Sequence, residues 1–228
     1  MRNTGRPYVI CHMLPSIDGR IVIRDWSLSN ATREYERTAA TFNADAWIIG
    51  RISMEPYAGK ARVPVRKKRE PIAREDFVAE HDASSYAIAI DPSGKLTWRT
   101  SDIDGEHVIT ILTESVSDDY LAFLQSKGVS YLFGGKSRID LAKVLQKLRA
   151  RFGIKKLLLE GGGKINGSFL AADVIDELSI LVAPVADGSI GTPSVFDVDR
   201  RSPARNLKLL SMTKRAGDIV WLRYKVRR

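Results

Sequence analysis

Leu157-Leu158-Leu159 is an apolar run that stops at Glu160, passes through three consecutive glycines at 161–163 and re-emerges at Ile165 with helical periodicity. A strand such as Lys156–Leu159, with no polar alternation, is buried on both faces, and such strands belong to parallel sheets covered by helices. The rest of the chain has the same pattern. Strand-like runs at Tyr8–Met13, Ala44–Gly50, Tyr86–Ile90, Val108–Leu112, Val129–Phe133 and Leu178–Ala183 alternate with helical stretches, which predicts a layered α/β domain. The helices run from Asn30 or Thr32 to about Asn43, over Asp118–Ser126 with Gly128 as the stop, from about Ile139 to Arg149, and over Ile165–Ala172.

Ser16-Ile17-Asp18-Gly19-Arg20 reads as a turn, Ile21–Ile23 as a short strand, and Asp91-Pro92-Ser93-Gly94 as a second turn. Arg51–Pro56 reads as a loop passing into a short helix. Val129–Phe133, the helix after it and Lys156–Leu159 have the length of a parallel crossover unit. At the end, Leu207–Thr213 and Ile219–Val226 flank Lys214–Asp218 as an antiparallel hairpin. Residues 59–85 are rich in Lys, Arg, Glu and Pro and read as a mobile surface loop or an amphipathic insertion.

The 228 residues are read as a single domain spanning 1–228. The one cysteine, Cys11, excludes an internal disulfide. With only His12, His81 and His107 beside it, no metal site is expected. No stretch approaches the roughly 20 apolar residues of a membrane span, so a reduced, cytoplasmic protein is expected. Lys and Arg total 36 against 27 Asp and Glu, a net charge of +9, which suits a polyanion, a small phosphorylated substrate or a phosphate-bearing cofactor. Interleaved aromatics and a recognisable motif on a basic face are missing, so nucleic acid is not expected as the partner.

Two strand ends can carry chemistry. Glycines 161–163 let the backbone approach a bulky anion, and the helix beginning near Lys164 adds unpaired N–H groups, so a dinucleotide diphosphate fits there; glycines used only for a tightly packed turn explain the pattern equally well. Gly50-Arg51-Ile52-Ser53 follows another apolar strand and offers a guanidinium that can fork onto a phosphate, with a hydroxyl for a second one. The alternative for Arg51 is a pairing with a surface carboxylate. Ligands in open α/β sheets lie across the carboxyl ends of the strands, where both loops fall.

The ordered set Arg6-Pro7-Tyr8-Val9, Ser16-Ile17-Asp18-Gly19-Arg20-Ile21, Ala44–Gly50, Asp91-Pro92-Ser93-Gly94-Lys95-Leu96, Glu160-Gly161-Gly162-Gly163 and Val174-Ile175-Asp176-Glu177-Leu178 through Ala183-Pro184 resembles the reductase domain of bacterial riboflavin biosynthesis. Gly50-Arg51-x-Ser53 is also similar to the Gly-Arg-x-Thr cofactor loop of dihydrofolate reductases. The resemblance implies a dihydrofolate reductase-like fold: a mixed, mostly parallel central sheet flanked by helices, with a C-terminal antiparallel hairpin. It implies an NADPH-dependent reductase that converts 5-amino-6-(5-phosphoribosylamino)uracil to the ribitylamino compound. A homodimer and a small phosphorylated heterocyclic substrate follow from the same likeness.

For the site, the resemblance implies the cofactor diphosphate at Gly161, Gly162, Gly163 and Lys164, and its adenosine-side phosphates at Gly50, Arg51 and Ser53, with Arg51 on the 2′-phosphate. Ser16 and Asp18 match a turn beside the nicotinamide and substrate. Glu55 falls where the family places an aspartate acid, so Glu55 and Asp18 are the candidate proton donors if burial raises their pKa. His12 replaces the family's lysine, Trp26 is placed to stack on the pyrimidine, and Glu160 reaches the site from its strand end. Arg62 or Arg66, within the cluster Lys60, Arg62, Arg66, Lys67, Lys68 and Arg69, stands where an arginine takes the substrate phosphate. The lone cysteine excludes the zinc deaminase module found fused to such reductases, whose signature needs more thiols. A stand-alone relative reducing a pterin or a dihydrofolate is the alternative these departures favour.

Overall fold

The computed structural model describes residues 5–59, 62–66, 70–198 and 203–227. In chain order the elements are β1 (Tyr8–Met13), α1 (Ala31–Ala40), β2 (Ala46–Gly50), α2 (Arg51–Met54), β3 (Tyr86–Ile90), β4 (Asp102–Ile103), β5 (Glu106–Thr113), α3 (Asp118–Ser126), β6 (Ser130–Gly135), α4 (Leu141–Phe152), β7 (Lys156–Leu159), α5 (Gly163–Ala171), β8 (Glu177–Val182), β9 (Leu207–Lys214) and β10 (Val220–Val226). The architecture is α/β, with mostly parallel strands, an antiparallel C-terminal pair and flanking helices. The chain divides into two compact units: Asp45–Lys155 with the residues up to Pro7, and Tyr8–Ala44 with Lys156–Arg228.

In the first unit β2, β3, β5 and β6 run parallel in that order, and β4 pairs antiparallel with the start of β5. Their unalternating sequences are explained by burial on both faces: Ala87, Ile88, Ala89, Val108, Ile109, Ile111 and Leu112 are inaccessible to solvent. Trp98, Tyr120, Leu121 and Tyr131 fill the aromatic centre of this unit's core. Ser117 caps α3 by accepting from the Tyr120 N–H, and Gly128, at φ +66°, turns the chain out of it.

The charged stretch 59–85, expected as a mobile loop or an amphipathic insertion, has no helix or extended strand among its described residues and is bonded to its neighbours at several points. Arg66 pairs with Asp118 and Asp119, and Arg74 bonds Asp118 and the carbonyls of Glu114 and Val116. Asp76 accepts from the Phe133 N–H at 2.9 Å and from Lys147 Nζ at 2.7 Å, while Phe77 bridges to Tyr131. The charges that suggested solvent exposure are the tethers. Lys60, Lys67, Lys68 and Arg69 lie outside the described residues.

In the second unit β1 is central, parallel to β7 and β8; β10 lies antiparallel to β8, and β9 to β10. Val9, Ile10, Cys11, Leu157, Leu159 and Leu181 form its apolar interior. Three carboxylates are buried there as well, and Asp176 accepts from the Val9 N–H at 2.9 Å. Glu34 pairs with Arg215 at 2.8 Å and Arg37 at 3.4 Å, and Glu177 pairs with Arg223 at 2.6 Å. A strap from Val185 to Asp197 crosses this unit. It accepts from the Ile17 and Ile21 N–H groups through the Val185 and Pro193 carbonyls, and donates from Val195 and Asp197 to the Gly19 and Gly163 carbonyls.

Three local expectations are corrected. Ile21–Ile23 forms no strand: only a bridge between Arg20 and Ser194 is extended, and Ile23–Asp25 is a 3₁₀ turn. α2 follows β2 with no intervening loop, because Gly50 serves directly as its N-cap residue. The side chain of Asn30 makes no cap bond to α1, accepting instead from Arg33. β6 pairs with β5 and β7 with β1, both parallel, and α4 lies between them along the chain. Among the described residues no helix is long and apolar enough to cross a membrane.

Candidate active site

At the carboxyl ends of β1 and β7 the second unit holds a cavity of about 210 Å³, lined by Met13, Leu14, Ile21, Ile23, Ala31, Thr32, Tyr35 and Glu160. That volume lies below the roughly 300–1,000 Å³ of sites for drug-sized ligands, on the scale of a single heterocyclic ring. The position is the one open α/β sheets use for ligands. Glu160 is its acidic group, and its carboxyl is hydrogen-bonded to the Tyr35 hydroxyl. Tyr35 also donates to the His12 carbonyl at 3.1 Å. Burial, and next the charge of Glu160, holds the Tyr35 phenol well above its usual pKa, so it stays a donor.

The glycine loop begins beside this cavity. Gly161 has φ +103°, and a β-carbon there would sit 3.2 Å from Met13 Cε, so a side chain would be both strained and crowded. Gly162 is the N-cap residue of α5 and supplies no side-chain bond, which leaves the helix's first N–H groups without a side-chain cap from it. Gly163 is bare for a different reason: a β-carbon would lie 2.2 Å from the Ser194 carbonyl and 2.4 Å from the Asp197 carboxylate. Strap packing alone therefore accounts for Gly163. Lys164 is exposed on the first turn of α5.

Asp18 accepts from the Ser16 hydroxyl at 2.7 Å and from the Asp187 and Gly188 N–H groups at 3.0 and 2.9 Å. The N–H of Asp187, then the Ser16 hydroxyl and the N–H of Gly188, push its pKa well below the carboxylate range. These bonds favour the ionised carboxylate and tie it to the turn, the opposite of the raised pKa that a proton donor needs. Trp26 donates its indole N–H to Asp187 at 2.9 Å and packs with Leu28 against the cluster of Leu14, Ala31, Leu181, Ala183 and Ile219.

His12 is corrected from a substrate contact to a core residue. It is fully buried, with Nδ1 2.8 Å from Ser179 Oγ and Nε2 3.2 Å from the Tyr35 carbonyl. The Tyr35 carbonyl can only accept, which assigns the imidazole proton to Nε2 and leaves Nδ1 to accept from the Ser179 hydroxyl, itself an acceptor of the Trp221 indole N–H. Burial lowers the pKa to about 4 and keeps the ring neutral.

In the first unit Arg51 and Glu55, placed one turn apart on α2 and its end, hydrogen-bond to each other. The guanidinium and the acid assigned separate tasks thus occupy one another. Ser53 is exposed on the same turn. The Arg66 guanidinium is engaged by Asp118, Asp119 and the Glu70 carbonyl, as that of Arg51 is by Glu55. Arg62 is exposed. Tyr35, Asp187 and the apolar walls Leu14, Ile21 and Ile23 are site residues that sequence reasoning missed. Among the described residues no group of His, Cys, Asp and Glu is arranged to hold a metal ion.

A mostly parallel α/β fold with a ring-sized cavity at its strand ends and a glycine turn beside it defines the dihydrofolate reductase-like class of reductase domains. The architecture superposes on a pyrimidine reductase-like protein from Corynebacterium diphtheriae with a TM-score of 0.72 at 18% identity, covering 97% of this chain and 92% of that one. Within that class the chain belongs to the RibD C-terminal domain family, which it matches over residues 7–221. It is 24% identical over 225 residues to the 2,5-diamino-6-ribosylamino-4(3H)-pyrimidinone 5′-phosphate reductase of Methanothermobacter thermautotrophicus, covering 94% of this chain and 96% of the relative. The reductase of the same name from Archaeoglobus fulgidus is 22% identical over 198 residues, with coverage of 84% and 87%.

Proposed function

We propose that the chain is an NADPH-dependent reductase acting on a 5-aminopyrimidine that carries a 6-(5-phosphoribosylamino) group, converting the ribosyl chain to ribityl. The observation that carries this is the apolar cavity with Glu160 and Tyr35 at its edge and Gly161 beside it, in a chain whose full-length relatives are named for that reduction. Two ring forms fit: the uracil implied by the sequence likeness and the 2,5-diaminopyrimidinone of the relatives' names, which differ at one ring substituent. The same reading includes a single reductase domain, a homodimer and a cytoplasmic setting.

The cofactor, when bound, supplies the hydride. The crowded, positive-φ position of Gly161 and the glycine cap of α5 suit a diphosphate held by backbone N–H groups. Arg51, released from Glu55, and Ser53 take the 2′-phosphate. The apolar walls exclude water from the reacting carbon, and Glu160, hydrogen-bonded to Tyr35, delivers the proton at the sugar's ring-opened end.

The test is a paired titration with NADPH and NADH, followed by cofactor fluorescence, together with turnover of both pyrimidines and of dihydrofolate. NADPH is expected to bind at least tenfold tighter, about 1.4 kcal/mol, and Arg51→Ala to remove that preference. Glu160→Gln is expected to lower kcat on the order of 100-fold. Failure to bind either dinucleotide overturns the assignment, and turnover of dihydrofolate alone transfers it to the pterin class.

A further inference from the structure

The stretch between Ile21 and Ala31 forms one wall of the cavity but does little to hold itself in place. Its only regular element is the single 3₁₀ turn Ile23–Asp25, which contains no buried residue. Its fixed point is Trp26, whose indole N–H is taken by one carboxylate oxygen of Asp187 while the other accepts from the Ser189 N–H at 3.0 Å. Asp187 is in turn held from its backbone. The Asp18 carboxylate accepts the N–H groups of both Asp187 and Gly188, and its position is set by the Ser16 hydroxyl.

These bonds form a continuous line from the turn after β1, across the strap, to the tryptophan behind the wall. Trp26 packs against Leu14 and Ala31, which also line the cavity, so a shift of the indole is transmitted to the ring site. We propose that Asp18 and Asp187 are positioning residues that fix Trp26, and through it the 21–31 wall, in the shape that orients the substrate ring. Carboxylates are required at both places by counting. Asp18 serves three donors, and an amide would turn its own N–H₂ toward one of them; Asp187 serves two donors on different oxygens, with the same result.

The proposal rests on the reductase reading for its substrate, so the experiment has one arm that needs no substrate. Hydrogen exchange over residues 21–31 is measured on the unliganded protein for wild type, Asp18→Asn, Asp187→Asn, Trp26→Phe and the Asp187→Asn/Trp26→Phe double variant. Exchange at least tenfold faster is expected in each single variant, with the double variant no faster than the faster single. Turnover of the pyrimidine substrate is expected to show KM raised about tenfold and kcat within threefold, NADPH affinity within twofold, and an unchanged pH profile for Asp18→Asn between pH 6 and 9.

Wild-type exchange in Asp18→Asn, or additive effects in the double variant, overturns the relay. Loss of a limb of the pH profile in Asp18→Asn overturns it in favour of direct acid catalysis. Trp26→Phe deletes only the indole donor and keeps an aromatic ring, so it tests the line of bonds even where an aspartate variant fails to fold. If wild type reduces neither pyrimidine, the function assignment fails separately and the exchange arm alone decides the relay.

Discussion

The two units solve the same packing problem with different materials. The first centres on Trp98, Leu121 and Tyr131, satisfies the charged and polar groups it buries, Asp91 and His107, with backbone N–H groups and a hydroxyl, and keeps its ion pairs in the tethers of the 59–85 stretch. The second buries Glu34, Glu177 and His12 among its strands and α1, each with specific polar partners. A hydrophobic interior tolerates small displacements of its parts, whereas a paired buried carboxylate loses most of its compensation when its partner moves. The unit with the ring-sized cavity is the one whose interior permits the fewest geometries.

Removing one ion from each unit should give the largest contrast. Arg223→Ala leaves Glu177 buried without its guanidinium and also removes a cation 4.9 Å from the Phe42 ring, so a loss of about 3–5 kcal/mol is expected in urea unfolding. Arg74→Ala, in a partly exposed tether, should cost about 1 kcal/mol. Equal losses would erase the distinction between the units. Leu121→Ala, in the first unit's core, should cost about 2–5 kcal/mol through the cavity it leaves. Followed beside Arg223→Ala, it shows whether one transition or two move.

Acid sharpens the comparison further. The pKa of His12 in the folded chain is lowered to about 4 from 6.5, so between those values the unfolded chain binds the extra proton. The contribution is fully present above pH 6.5, declines as the pH falls, and is lost below about 4. By pH 5 the loss from His12 is about 2 kcal/mol. A His12→Asn variant should flatten the dependence of the urea midpoint between pH 7 and pH 5. His107 shifts in the same direction through burial and the neighbouring His81, which gives the first unit its own acid-sensitive point. The smallest effect is expected at Glu55→Gln. An exposed pair one helical turn apart contributes about 0.3–0.5 kcal/mol, so freeing Arg51 should tighten NADPH by about twofold at most.

Strand positions were legible because buried parallel strands write themselves as unbroken apolar runs, and Tyr86–Ile90, Lys156–Leu159 and the α3 span Asp118–Ser126 fall where the sequence puts them. What local pattern misreads is decided by distant partners. The tethers at Arg74 and Asp76 reach residues 40 and 57 positions away, so no window of sequence separates them from a solvated charge run. β4 had a readable signal in Asp104-Gly105, both at positive φ, the pair that two-residue hairpins favour. In the site, glycines and conspicuous charges were visible, but Asp187 was not. Its role exists only because the strap brings it to Trp26 across 161 positions.

β1 lies between β7 and β8 in the second unit, yet Asp176, which accepts the Val9 N–H, and Ser179, beside His12, each stand 167 residues beyond those partners along the chain. At the usual 5–20 residues per second, a ribosome needs on the order of ten seconds or more to deliver them. Throughout that interval the whole of the first unit can emerge and fold, while an apolar strand with open edges waits for its neighbours. A strand made this far ahead of its partners is thus among the last to be paired, and synthesis is when this chain is most exposed to pairing with the wrong one.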